Sequence, residues 1–410
     1  MSVEGMSNRG ARVCFAQTLA VLLLGVIPLP AGWTRARAAL DNARSNEMNR
    51  SDRESNAGGY YEGLIGVDKP QGGPNALSLC LLGKPRDWGR FRAAGVSRDL
   101  DGDFLMFELR PNVSQPLFGE QFKTNEYGMR DRSYSLDKPP ETFRIAVLGS
   151  SIDMGWGVGA ESMYVTRLEE WLNCHAAKRG LSRRFEVLNF AVAAYSPLQR
   201  LESFRRKVGA FQPDLVLYSA TMLDMRLMEI HICDMFECRV DLGYSFLRRE
   251  IHSSGLRAPD FRIGPDEKLR EKDMVKRRLQ PHYWPIYDAT MAALEADCRS
   301  AGIPLACIIV PRVGKADAPR ARAETVERLK EVLGRHSDSL FDLSGTFDAR
   351  DTDEIEIAPW DDHPNNEGHY RLFRALADAL VNDTLYETLF GSPGPHGPVP
   401  RKVVEAPSKP

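Results

Sequence analysis

The stretch FRIAVLGSSIDMGWGV, Phe143–Val158, decides the fold. Its first part, Phe143–Leu148, is an apolar run of strand length, and it stops at Gly149-Ser150-Ser151, residues that favour a tight turn. Beyond Val158, Tyr164, Leu168, Trp171 and Leu172 recur at helical spacing. The segment therefore reads as strand, small-residue turn and helix. Such a turn exposes a serine hydroxyl at the sheet edge and points the backbone N–H groups of the helix start toward any negative charge that develops there. A turn using Gly and Ser for backbone reasons alone, or a phosphate loop, is the competing reading. The Walker pattern is absent, because no Lys-Ser/Thr follows.

Outward from this segment the same alternation repeats. Phe185–Phe190, Leu215–Ser219, Leu305–Val310 and Leu340–Leu343 are further strand candidates. Between them lie two amphipathic helices, one with Leu198, Leu201, Phe204 and Val208 on a face, the other with Tyr287, Met291, Leu294 and Cys298. Ser196-Pro197 caps the first and Gly302 with Pro304 stops the second. Strand–helix alternation predicts an α/β fold with a parallel sheet covered on both faces, and a site at the carboxyl ends of the strands. Two segments fall outside it: 59–140, an N-terminal extension, and 225–285, an insertion after the third strand. The insertion is placed to serve as a lid or substrate wall, the alternative being a surface insertion without function. No repeat of solenoid or propeller length is visible.

The chain has 410 residues, with 54 Lys+Arg against 56 Asp+Glu. That balance offers no basic excess to hold a phosphate backbone, so nucleic acid is not an expected partner. Arg9 and Arg12 precede the apolar run Val13–Pro30, and Ala36-Arg37-Ala38 follows it. This predicts an export signal or membrane anchor over 1–38, hence a periplasmic or extracellular protein, anchored in the inner membrane if the segment is retained. Residues 39–58 read as a flexible linker and 391–410, rich in Pro, as a disordered tail. Removal of Cys14 with the signal leaves six of the seven Cys. Cys233 and Cys238 are the expected pair, and Cys307, inside an apolar run, a buried thiol.

The other chemistry-bearing cluster is WDDHPNNEGH, Trp360–His369, leading into a helix with Leu372, Phe373, Leu376 and Leu380 on one face. Pro364 fixes the backbone after His363, and a neighbouring carboxylate can orient the imidazole while it accepts a serine proton. His369 precedes Leu372 by three residues and reads as structural. Asp361, Asp362, His363 and His369, read together as a metal site, are bunched in one loop without a familiar zinc spacing, so no metal and no cofactor is expected.

Together the two clusters resemble the SGNH/GDSL hydrolase superfamily, in the group whose first block reads like GDSxTxGxGV and whose last reads like DxHPNxxGH. The resemblance covers about residues 141–382, and FKTNEYGMRD, Phe122–Asp131, is similar to a segment that often precedes the first block in bacterial members. It implies a flavodoxin-like three-layer α/β/α fold with a central parallel sheet of about five strands, forming a domain over 141–390. The activity it implies is hydrolysis or transfer of an ester-linked acyl group. Ser151 matches the nucleophile and His363 the general base. Asp361, or alternatively Asp362, would orient His363, with Asp361 preferred as the D-x-H form. Ser150 stands where the family usually has Asp and is the alternate hydroxyl of the turn. The oxyanion hole would use the N–H groups of Ser151 and Ala194, the latter at a family Gly, and the Thr221 hydroxyl. Leu223 stands where the family has its Asn donor. The expected substrate is an acyl ester, on a small molecule or on a glycan of the cell envelope. A catalytically degenerate relative that binds carbohydrate or an envelope assembly partner is the alternative.

Overall fold

The computed structural model describes residues 91–92, 94–264, 269–313, 319–348, 354–358, 361–391 and 402–405. The export segment 1–38, the linker 39–58, the first part of the 59–140 extension and Trp360 lie outside the described residues.

Five apolar runs form a parallel sheet: β5 (Thr142–Leu148), β6 (Arg184–Asn189), β7 (Leu215–Thr221), β8 (Leu305–Val310) and β9 (Ser339–Asp342). Four shorter strands precede them, β1 (Ser97–Asp99), β2 (Phe107–Leu109), β3 (Ser114–Leu117) and β4 (Glu120–Lys123), paired as two antiparallel hairpins. The sheet runs β6-β5-β7-β8-β9, so the first strand sits between the second and the third. This is the flavodoxin-like 2-1-3-4-5 order, in which the crossovers leave β5 and β6 on opposite faces. Within the stretch read as a loose tail, β12 (Lys402–Glu405) runs parallel to β9, from Ser339↔Lys402 to Asp342↔Glu405. The prolines of the tail masked a β-branched pair, Val403-Val404, able to extend a sheet edge.

Both faces of β5, β7 and β8 are buried along their whole length, as their largely apolar sequence requires. On one face, α2 (Tyr164–Lys178) packs Tyr164, Leu168 and Leu172 with Ile145, Val147 and Leu372. On the other, α3 (Pro197–Arg206) and α7 (Tyr283–Ser300) pack Leu201, Tyr287 and Met291 with Ala146 and Tyr218. Three layers result.

The outer edge of β6 would expose unpaired backbone groups, a template for unwanted pairing. Side chains occupy them instead. Asn173 accepts from Phe185 N–H and donates to its carbonyl, both at 2.9 Å. Glu169 and Asp131 accept the N–H groups of Val187 (2.6 Å) and Asn189 (2.9 Å), and the Tyr134 hydroxyl donates to Val187 O (3.1 Å). Together these side chains imitate a neighbouring strand.

The insertion is largely helical, with α4 (Asp224–Glu237), α5 (Ser245–Ser253) and α6 (Lys272–Leu279). It packs on the N-terminal extension: Phe104 lies edge-on to His231 and Tyr244, and His231 Nε2 donates to Phe104 O at 2.8 Å. The expected Cys233–Cys238 disulfide is not formed. Cys233 is buried within α4 and Cys238 ends that helix exposed, since a spacing of five turns the two side chains to different faces. Cys307 is a buried thiol. Among the described residues no helix is long and apolar enough to cross a membrane.

Candidate active site

Ser151 lies just past β5 as the first residue of a short helix, α1 (Ser151–Met154). As such its N–H has no acceptor within the helix. Ser150 precedes the helix and donates its N–H to Asp153 Oδ2 at 2.7 Å. Asp153 is fully buried: Oδ1 accepts from the Tyr164 hydroxyl (2.5 Å), and its backbone carbonyl accepts from Asn189 Nδ2 (2.8 Å). Burial raises the Asp153 carboxyl pKa above its ordinary value, and the donors around it pull it back down. The turn is thereby tied both to α2 and to the end of β6. Gly155 closes α1 at φ +81°, and a Cβ there would fall 2.3 Å from Met163 Sδ, so backbone conformation and space both demand glycine.

The partner cluster forms β11 (Asp361–Pro364), antiparallel to β10 (Glu356–Ala358). Side chains alternate along a strand, so Asp361 and His363 share one side and Asp362 faces the other. Asp362 accordingly pairs with Arg312. His363 Nδ1 lies 2.6 Å from Asp361 Oδ1, and His363 Nε2 lies 2.7 Å from Ser151 Oγ. A carboxylate only accepts, so Nδ1 carries the proton and Nε2 accepts from the serine O–H. The backbone N–H of His363 also donates to Asp361 Oδ1, at 3.2 Å. All three residues are buried. The hydroxyl that meets the imidazole is Ser151's, and the carboxylate is Asp361's.

Local structure explains the rest of the motif. Asn365 caps α8 (Asn366–Val381): its Oδ1 accepts from Glu367 and Gly368 N–H, and its Nδ2 donates to the carbonyls of Glu354 and Glu356. A Cβ on Gly368 would come 2.6 Å from Pro364 Cβ. His369 is buried, accepts from Tyr164 N–H at 3.2 Å, and is held neutral by burial, its pKa lowered to about 3. Ligand atoms of Asp361, Asp362 and His363 lie within 4.8 Å of one another. Arg312 already compensates one of these carboxylates and the imidazole engages the other, a poor fit to a cation site.

Ala194 follows the carboxyl end of β6 and Thr221 ends β7. With Ser151 after β5, the three residues follow neighbouring strands. Ala194 has φ +65°, in a turn closed by Tyr195 N–H to Val192 O at 3.1 Å. It occupies the third position of that turn, where a left-handed backbone favours glycine. The chain thus keeps a glycine-like backbone with an alanine. Ala194→Gly is expected to raise stability by about 0.5–1 kcal/mol, read as a higher denaturant midpoint at unchanged slope. Thr221 Oγ1 accepts from Leu223 N–H at 2.9 Å, which leaves its own hydrogen to donate elsewhere. Leu223 is half-buried and immediately precedes α4.

Three residues at the site carry no obvious signal in the sequence. Trp156 donates its indole N–H to Asp361 Oδ2 at 2.9 Å, and Asn189 and Asp153 hold the nucleophile turn as described. Asn189 had the one available clue, a polar residue ending an apolar strand. Trp156, an aromatic between two glycines, reads as ordinary packing. Next to Leu223, the buried ion pair Arg200–Asp224 (2.9 Å) fastens α3 to the start of α4, and Arg200 also donates to Ser219 O at 2.9 Å.

No family model and no curated protein matches this chain. Solved structures do. A lipase from a goat rumen metagenome is similar at 11% identity and TM-score 0.37, over 57% of this chain and 96% of that one. A catalytic mutant of an acetylxylan esterase from Geobacillus stearothermophilus is similar at 14% identity and TM-score 0.36, over 61% and 94%. An alpha/beta hydrolase from the metagenome of Lake Arreo, Spain, is similar at 17% identity and TM-score 0.34, over 61% and 97%.

Proposed function

We propose that this chain is a serine hydrolase of the SGNH type acting on ester bonds. One observation carries the reading: a serine hydroxyl, an imidazole and a carboxylate from opposite ends of the domain are joined at 2.7 and 2.6 Å in the order that proton transfer needs. In the proposed reaction Ser151 Oγ attacks the acyl carbonyl as its proton passes to His363 Nε2, and Asp361 stabilises the imidazolium. The oxyanion rests on the N–H groups of Ser151 and Ala194, with the Thr221 hydroxyl as the third donor in place of the family's Asn. His363 returns the proton to the leaving alcohol, and the acyl-serine forms. Water, deprotonated by His363, then releases the acid, or an acceptor alcohol takes the acyl group in its place.

The substrate follows from charge and compartment. The near-neutral chain suits an uncharged ester, and export through residues 1–38 would place it among acylated envelope glycans. Hydrolysis of p-nitrophenyl acetate by the full chain tests the reading. Turnover is expected in the wild type, with a loss on the order of 10⁴–10⁶-fold in Ser151→Ala. A folded wild-type protein without turnover would favour the carbohydrate-binding alternative, which Leu223 at the donor position motivates.

A further inference from the structure

We infer that Trp156 is a positioning residue for the Asp361–His363 pair, and that the N-terminal extension completes the site by clamping Trp156 in place. The inference rests on the reaction proposed above for the role of His363. Its geometry stands on contacts independent of that role.

Trp156 is 1% exposed, and a buried indole N–H needs an acceptor. It donates to Asp361 Oδ2 at 2.9 Å, the oxygen opposite the one that receives His363 Nδ1–H at 2.6 Å. The carboxylate is therefore held at both ends, and its direction toward the imidazole is set by the indole. Trp156 also lies nearly parallel to the His363 ring, at 19° with centroids 5.1 Å apart, so the imidazole cannot swing that way without displacing it.

Residues of the extension hold the indole, Phe91 among them with ring centroids 5.9 Å apart. Phe118 stacks on it at 25° with centroids 3.9 Å apart. Phe118 and Gly119 form the two-residue turn between β3 and β4, with φ +53° and +85°. The first position of such a turn favours Asn, Asp or Gly, and a phenylalanine there costs about 1–3 kcal/mol of backbone strain. The strain is tolerated where the ring reaches Trp156. Arg130, 3% exposed, donates to the carbonyls of Met154 (3.1 Å), Gly155 and Val158 (2.6 Å), bracketing Trp156 on both sides in sequence. A guanidinium spent on backbone carbonyls fixes a loop, and this loop carries the indole.

The test separates this inference from the proposed reaction. Trp156→Phe keeps a ring face and removes the N–H. Without that donor the Asp361 charge is more available to the imidazolium, so the His363 pKa should rise. An NMR titration of His363 in the full-length protein reads this with or without turnover, and an upward shift of about half to one unit is expected. If the protein hydrolyses p-nitrophenyl acetate, the acid limb of kcat/KM should move up with it, and kcat at neutral pH should fall about 10- to 100-fold with little change in KM. Phe118→Asn is the second variant, since it suits the turn. It should leave the unfolding midpoint unchanged or higher while moving the His363 titration in the same direction by a smaller amount. An unmoved His363 titration in folded Trp156→Phe would overturn the role of the indole. If that variant does not fold, an unmoved titration in Phe118→Asn overturns the inference. If the His363 titration moves in Trp156→Phe while the wild-type protein does not hydrolyse esters, the proposed reaction fails and the positioning role stands.

Discussion

Asp361→Asn is expected to lower kcat for p-nitrophenyl acetate by about 10⁴-fold while the fold survives, the size of effect found when a triad carboxylate becomes an amide. The physical reason lies in the two faces of the carboxylate. Oδ1 accepts His363 Nδ1–H, and Oδ2 accepts the Trp156 indole N–H. An amide has one oxygen and one NH₂, so one of these donors must face another donor. If the oxygen stays with the indole, the amide NH₂ meets Nδ1, and the imidazole proton moves to Nε2, where it confronts the Ser151 hydroxyl. The base is then unavailable. His363→Ala should cost as much or more, and the two losses should not add in the double variant, because in the proposed reaction both residues serve one proton transfer. Steady-state kinetics with thermal unfolding as the fold control checks this; additive losses would mean that the two residues act separately.

Arg200→Met is expected to be the most destabilising of the substitutions considered, by about 3–5 kcal/mol at neutral pH. Both members of the Arg200–Asp224 pair are 1% exposed, and Asp224 begins α4 directly after Leu223. Removing the cation leaves a buried carboxylate without compensation. The loss should depend on pH in a definite sense. Burial already raises the Asp224 pKa above the ordinary carboxylate range, with Arg200 opposing that rise. Without Arg200 the folded-state pKa climbs further, so the variant gains a proton on folding. A group with a raised folded pKa stabilises most below its unfolded pKa and loses that stability as pH rises through the folded value. The penalty relative to wild type should therefore be largest at neutral pH and shrink toward pH 4. Urea unfolding at both pH values reads it directly. Replacing both partners by apolar residues should recover most of the loss, and a penalty independent of pH would mean that Asp224 is not the cause.

Much of the sheet was legible in the sequence because a strand buried on both faces is a continuous apolar run. Phe143–Leu148, Leu215–Ser219 and Leu305–Val310 differ from β5, β7 and β8 by two residues at most. Asp361 is preferred over Asp362 as the D-x-H form, and the structure turns Asp362 to Arg312, as side-chain alternation along β11 dictates. What escaped were contacts between residues far apart in sequence. Nothing in the sequence marks Arg130, Arg144 and Arg200 for burial, yet each is buried against carbonyls or carboxylates that only the fold brings near. The insertion, expected as a lid or substrate wall or else as a surface insertion without function, packs Phe104 of the extension against His231 and Tyr244. It is the N-terminal extension that delivers Phe118 and Arg130 to the Trp156 loop. A Phe-Gly hairpin tip gives no warning of this, since its ring finds a partner only in three dimensions.

Labelling with a fluorophosphonate, followed by peptide mass spectrometry, tests the central claim most directly, because the probe reports an activated serine whatever the natural ester. One adduct per chain on the peptide containing Ser151, absent in Ser151→Ala and strongly slowed in His363→Ala, is the predicted result. A folded wild-type protein that takes no label, or a label that persists in Ser151→Ala, would contradict it.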